Sequence, residues 1–247
     1  MNMEAEENTK PQGARWLRWA WAVLAVVVVL VGAFAATRSS LLAVATIEVH
    51  GEDGRVLEAE VLAASGLVYG SPMVDVNAEE IDDRVTALPW VEEASVERAW
   101  PQTVRIDFTE RVPMVVAVNP IGERFLLDRT GTVLAATQPG QETLPVIRVD
   151  SVGDPGTRVS SITPLLRAAE EVTPDLGAWI LALAPTGDGV RAELVGGVIA
   201  ELGIGTDYRD EMRSLATVLT RVELSCLEVI DVSIHQNPVL LRTQGTC

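Results

Sequence analysis

The chain lacks recognisable catalytic machinery. Its 247 residues contain no Gly-x-Ser-x-Gly elbow, no His-Glu-x-x-His pair, no phosphate-cradling glycine loop and no Cys-x-x-Cys motif. Histidine occurs only twice, at His50 and His235, far apart in sequence and each at the end of an expected strand, where solvation is a better reading than metal ligation. Acidic residues do occur side by side, as Glu79-Glu80, Asp82-Asp83 and Glu92-Glu93. Neighbouring side chains on a helix or strand diverge, so these pairs cannot close on one substrate and read as a charged outer face. No catalytic, cofactor-binding or metal-ligating residue is therefore expected, and the chain is not expected to be an enzyme. Aromatics are also scarce, at 4%. That argues against a sugar-stacking groove, which is what the alternative of a wall-binding sensor or wall-enzyme accessory would need.

Lys10 is the only lysine, and the formal net charge is −16. Glu4, Glu6 and Glu7 balance Lys10, Arg15 and Arg18 near the start, so the whole deficit belongs to the remainder. Such a surface should seek neither nucleic acid nor anionic lipid.

Against these absences stands one long apolar run, Trp19 to Ala36, with no charge in it. At 1.5 Å rise per residue it makes about 27 Å of helix, close to the thickness of a bilayer core. Lys10, Arg15 and Arg18 precede it and only Arg38 closely follows, which places the N-terminus in the cytoplasm and the bulk of the chain outside. Trp16, Trp19 and Trp21 gather at the cytoplasmic end, where indole rings favour the headgroup layer. Cleavage as a signal peptide is the competing reading, since Ala33-Phe34-Ala35 has the small-x-small form. In either case the rest of the chain leaves the cytoplasm.

Residues 1–18 read as a cytoplasmic tail, disordered over 1–15, residues 19–36 as the transmembrane helix and 37–43 as a linker. Val44–His50 alternates as a half-buried strand. Leu57, Val61 and Ala64 then mark a helix stopped at Gly66. Asn77 with Glu80 forms a capping box for a second helix through Ile81, Val85 and Leu88. Val91–Arg98 is a strand, Trp100-Pro101-Gln102 a turn, and Val104, Ile106 and Phe108 form the apolar face of the next strand. Further on, Thr163-Pro164 starts a helix and Trp179–Ala184 is apolar enough for a buried strand. Gly196-Gly197 turns a hairpin between Val190–Val195 and Val198–Leu202, and Asp207 caps a helix with the stripe Met212, Leu215, Leu219 and Val222. A last hairpin, Val229–Ile234 with Val239–Thr243, turns at His235-Gln-Asn-Pro238.

That register sets Cys226 opposite about residue 246, beside Cys247. A bridge between Cys226 and Cys247 would close a loop of about 22 residues and contribute on the order of 3 kcal/mol in the chain-entropy model. Two free thiols are the alternative.

The β-α-α-β-β order directly after one span resembles a POTRA domain. The run Val96-Glu-Arg-Ala-Trp-Pro-Gln-Thr-Val-Arg-Ile106, continuing to Glu110-Arg111-Val-Pro113, is similar to the FtsQ/DivIB family of bacterial division proteins. Phe125-Leu-Leu-Asp128-Arg-Thr-Gly131-Thr-Val-Leu134 and Leu144-Pro145-Val-Ile147 match that family's strand, turn and strand in the same order. The resemblance covers roughly residues 16–243. It implies a single-pass membrane protein with an α+β ectodomain: a β-α-α-β-β POTRA domain over 44–112, then a mixed, mostly antiparallel β domain with two helices over 113–247. It also implies a divisome scaffold at the septum of the cell membrane. Such a scaffold binds FtsB and FtsL, with FtsK, FtsW and FtsI as further partners, and acts on septal peptidoglycan synthesis by recruitment. Carried over by position, the surface that receives FtsB by strand addition is Val239, Leu240, Leu241 and Arg242, with Ile234. One alternate face of that strand is expected to lie in the core. The chain stops at Cys247, so no long tail is expected to reinforce this surface.

Overall fold

The computed structural model describes residues 13–51, 54–140, 143–187 and 189–242. The start of the expected tail, residues 1–12, and Cys247 lie outside the described residues. Two compact units emerge. One comprises Met1–His50, Leu57–Arg84 and Ala94–Asp107, and the other Gly51–Val56, Val85–Glu93 and Phe108–Cys247.

The first unit opens with α1 (Gly13–Thr37), which begins earlier than the expected 19–36 and takes in residues read as tail. Ala14 and Arg15 are good helix formers, so the helix runs on past its apolar window of Arg18–Thr37. After β1 (Thr46–His50), helix α2 (Glu58–Ser65) ends at Gly66, whose φ of 64° lets the chain turn in the left-handed region. Helix α3 (Ala78–Thr86) is capped as its sequence implies: the Glu80 backbone N–H donates to Asn77 Oδ1 at 3.5 Å, and Asn77 Nδ2 donates to Glu80 Oε2 at 3.4 Å. Strands β2 (Val91–Ala99) and β3 (Thr103–Glu110) complete a sheet of order β1-β3-β2, with β1 parallel to β3 from Thr46 opposite Thr103 to His50 opposite Asp107. Val104, Ile106 and Phe108 are buried, as their period-2 spacing requires.

The second unit is a nine-stranded sheet. Its strands are β4 (Pro113–Val118), β5 (Arg124–Asp128), β6 (Val133–Thr137), β7 (Val146–Arg148), β8 (Ile180–Thr186), β9 (Gly189–Leu194), β10 (Ile199–Gly203), β11 (Leu227–Asp231) and β12 (Val239–Arg242). They lie in the order β12-β11-β10-β9-β8-β7-β4-β5-β6. Five pairings are antiparallel and three parallel, so the sheet is mixed and mostly antiparallel. Helices α4 (Thr163–Glu170) and α6 (Arg209–Leu219) bury Leu165, Leu166, Met212, Leu215 and Leu219 in one cluster with Ile147, Leu183, Ala192, Ala200 and Ile230 of the sheet. A one-turn helix, α5 (Pro174–Gly177), precedes β8. Ile162, not Thr163, occupies the cap position of α4, a one-residue difference at a helix end. The Gly196-Gly197 turn holds φ of 83° and 82°, which a side chain would strain.

One buried carboxylate organises the β4–β5–β6 corner. Asp128 Oδ1 accepts from the backbone N–H groups of Thr130 and Thr132, each at 2.8 Å, and from the Thr130 hydroxyl, also at 2.8 Å. Its Oδ2 accepts from Arg111 Nη1 at 2.7 Å. Burial raises the Asp128 pKa, but the hydrogen bonds from Thr132, Thr130 and Arg111 together outweigh it and hold the carboxyl below its ordinary value of 3.8. A depressed folded-state pKa adds stability above the unfolded value, and that stability is lost as pH falls through the folded one. Asp128→Ala is expected to lower the unfolding free energy by about 3 kcal/mol at pH 7, because it strands a buried Arg111. Urea denaturation of the full chain in detergent at pH 7 and at successively lower pH checks this; the deficit should shrink as pH falls through the folded-state pKa of Asp128.

Candidate functional site

The open edge at β12 follows from what its neighbours can hold. β11 lies parallel to β10, Val229 facing Ile199 and Asp231 facing Glu201, and α6 is the connection that parallel pairing needs. The apolar stripe of α6 and the buried Leu227 and Ile230 of β11 share one core, so β11 is anchored from within. β12 pairs antiparallel on its far side, with Leu227 opposite Arg242, Val229 opposite Leu241, Ile230 opposite Leu240 and Asp231 opposite Val239. Beyond β12 no further strand follows among the described residues.

The expected surface residues are therefore only partly together. Val239, Leu240, Leu241 and Arg242 do form one strand, and all four are exposed, Val239 by 54% and Leu241 by 49%. The expectation that one alternate face sinks into the core is corrected: β12 is the last strand of the sheet among the described residues, and side chains on both of its faces stay exposed. Leu240 borders a groove of about 470 Å³ with Arg213, Val218, Arg221, Val222 and His235, while Val239 and Leu241 alternate onto the other face of the sheet.

The strand expected over Val229–Ile234 stops short of Ile234. Asp231 Oδ1 accepts from the Ser233 N–H at 2.9 Å and its hydroxyl at 2.6 Å, an Asx-type turn that ends β11 at Asp231. Ile234 thus lies in the connection, exposed, and its carbonyl accepts from the Asn237 N–H at 2.8 Å. His235 Nδ1 in the same connection lies 3.9 Å from Glu211 Oε1 on α6, within ion-pair range when the imidazole is protonated. The early turn and a bulge between Leu227 and Val229 also move the register. Val229 faces Leu241 where the expected hairpin set it against Thr243.

Among the described residues no group of three or more His, Cys, Asp or Glu gathers as a metal site. Sequence reading missed two features that position the site's sheet: β4, whose run Met114–Val118 was legible as apolar, and the Arg111–Asp128 pair, which no local pattern announces.

Residues 42–111 match the family described as "POTRA domain, FtsQ-type", and residues 115–233 match "Cell division protein FtsQ/DivIB, C-terminal". β12 lies beyond the second match. "Cell division protein FtsQ" of Mycolicibacterium smegmatis is 30% identical over 213 residues, 85% of this chain and 61% of that relative. Its namesake in Mycobacterium leprae is 32% identical over 67% of this chain and 48% of its own length. The one in Streptomyces collinus is 28% identical over 88% of both. The chain thus spans about half to three fifths of the length of the mycobacterial relatives. The fold and these matches define a single-pass membrane protein with an α+β ectodomain, a POTRA domain ahead of a β-rich one. The chain belongs to the FtsQ/DivIB family of cell-division proteins.

Because β12 side chains are exposed, Leu241→Glu is expected to change stability by no more than about 0.5 kcal/mol, whereas Ile230→Ala on β11 costs about 3 kcal/mol. Equilibrium unfolding of the two variants checks it. Equal losses would mean that β12 is covered.

Proposed function

We propose that this protein is a divisome scaffold. It holds FtsB, and FtsL with it, by strand addition at β12, and so recruits or regulates septal peptidoglycan synthesis, with FtsK, FtsW and FtsI as further partners. Its N-terminus is cytoplasmic and its bulk extracytoplasmic, with a POTRA domain over 44–112 and a β domain over 113–247. It acts at the septum and catalyses no reaction. The observation that carries this reading is the exposed apolar edge of β12. An unpaired row of backbone donors and acceptors gives an incoming strand its affinity, and side chains on both faces give it choice. The arginines on the N-terminal side of the span support the orientation.

The Cys226–Cys247 bridge belongs to the same proposal, as a tie for the chain that follows β12. Labelling of both cysteines by a thiol reagent in the non-reduced protein would sink it.

An N-terminal fluorescent fusion of the full chain is expected to gather at mid-cell in dividing cells. Pulldown of FtsB is expected to fall at least tenfold with the double variant Val239→Pro and Leu241→Glu, because proline removes a ladder donor and the carboxylate desolvates poorly. An even distribution around the membrane at every stage of the cycle overturns the division role; unchanged capture of FtsB overturns β12 as the receiving edge.

A further inference from the structure

The first unit ends, where the chain leaves α1, in a cluster of exposed apolar side chains that its own fold does not use. Immediately after the helix, Arg38 lies 5.4 Å over the Phe34 ring of α1 and donates from Nη2 to Asp75 Oδ1 at 3.1 Å. The next residues fasten two loops to themselves. Val44 N–H donates to Ser71 O at 2.9 Å, and Gly70 N–H donates to Val44 O at 2.8 Å. Ala43 bridges Pro72, Ala45 N–H donates to Gln102 O at 2.8 Å, and Gln102 Nε2 donates to Ser40 O at 3.0 Å.

The topology makes this placement necessary. β1 and β3 run parallel and start at this end, the β2–β3 turn lies here, and α2 returns to it from the other end. The loops so gathered carry Leu41, 75% exposed, Val68, 64%, Tyr69, 62%, Trp100, 52%, and Val74, 40%.

We infer that this end of the POTRA unit docks onto the lipid surface of the bilayer that α1 crosses, with Leu41, Val68, Tyr69, Val74 and Trp100 entering the headgroup layer. The inference rests on the membrane-spanning reading of α1. Reach favours lipid over a protein partner. Leu41 follows the last helical residue, Thr37, by so few residues that even an extended chain sets it within about 14 Å of the helix end, and the 3-10 turn at Ser40–Leu42 shortens that. The headgroup layer on each side occupies about 5–8 Å, so this end meets it before it meets anything else. The residue types also fit, since Trp and Tyr favour that layer and aliphatic side chains reach below it. The net charge of −16 opposes an anionic surface, so apolar entry, not charge attraction, carries the contact.

The test uses the full chain in phosphatidylcholine vesicles with a photoreactive benzophenone amino acid replacing Tyr69, Trp100, Asp107 or Val27, one at a time. Asp107 lies at the far end of the β1–β3 pairing, opposite His50, and Val27 lies within the span. Lipid adducts, read by mass spectrometry, are expected at Val27 and, several-fold above the Asp107 level, at Tyr69 and Trp100. Adducts at Val27 with Tyr69 and Trp100 no higher than Asp107 overturn the docking while leaving the span intact. Absence of adducts at Val27 overturns the span and the docking with it. Adducts from Tyr69 to a second copy of the chain in place of lipid assign the surface to self-association and overturn it as well.

Discussion

A sheet that does not close must leave a row of backbone donors and acceptors without strand partners, and where that row falls governs what the second unit can bind. Its two ends are treated differently. At the β6 edge Val133 N–H donates to Thr157 O at 2.9 Å, Gly156 N–H donates to Val133 O at 2.7 Å, and Thr132 bridges Arg158. The chain thereby covers the start of that edge with its own loop. β12 has no such cover among the described residues. Its position is inherited: α6 packs on the sheet, its stripe shares a core with β11, and β11 in turn presents the edge on which β12 sits. The exposed strand is thus held in place by buried residues of the core.

Much of this was readable along the chain. Wherever the physical cause is local, the sequence states it: the alternation of Val104, Ile106 and Phe108, the Asn77 cap, the positive-φ pair Gly196-Gly197, and the Met212, Leu215 and Leu219 stripe all concern residues within a few positions of each other. The features that escaped are those set by distant partners. Val-Leu-Leu-Arg at 239–242 has the composition of a core strand, and only its place at the end of nine strands leaves it exposed. The hairpin register turned on a carboxylate, Asp231, closing on Ser233, a choice that competes with continuing the strand and has no hydrophobic signature. The continuous run at β4 is buried throughout from Val115 to Val118, and a run without period cannot say which faces are covered.

Asp128 shows the same division between local and distant causes within one side chain. Its turn with Thr130, Thr132 and Gly131 is local, and Gly131 at φ 81° makes it possible. Its second oxygen meets Arg111, one strand away, and only the folded sheet brings them together. The carboxylate is 3% exposed and its partner 15%, so each would be an unpaired buried charge without the other. That mutual dependence fixes the corner between β4 and β5 far more firmly than an exposed pair such as Arg213 with Asp210, where solvent screens the attraction.

The two units leave different chemistry unsatisfied, and this separates the partners that each can take. The first unit completes its three strands with buried side chains, yet gathers aromatic and aliphatic side chains on loops at one end, where backbone groups are already paired by Val44, Gly70 and Ala45. Such a surface offers area without direction and suits a fluid apolar phase. The second unit leaves backbone groups open along a line, with side chains alternating to either side. A lipid surface cannot answer that row, because acyl chains neither donate nor accept. An extended peptide matches its spacing, which is the chemistry that the proposed strand addition at β12 draws on.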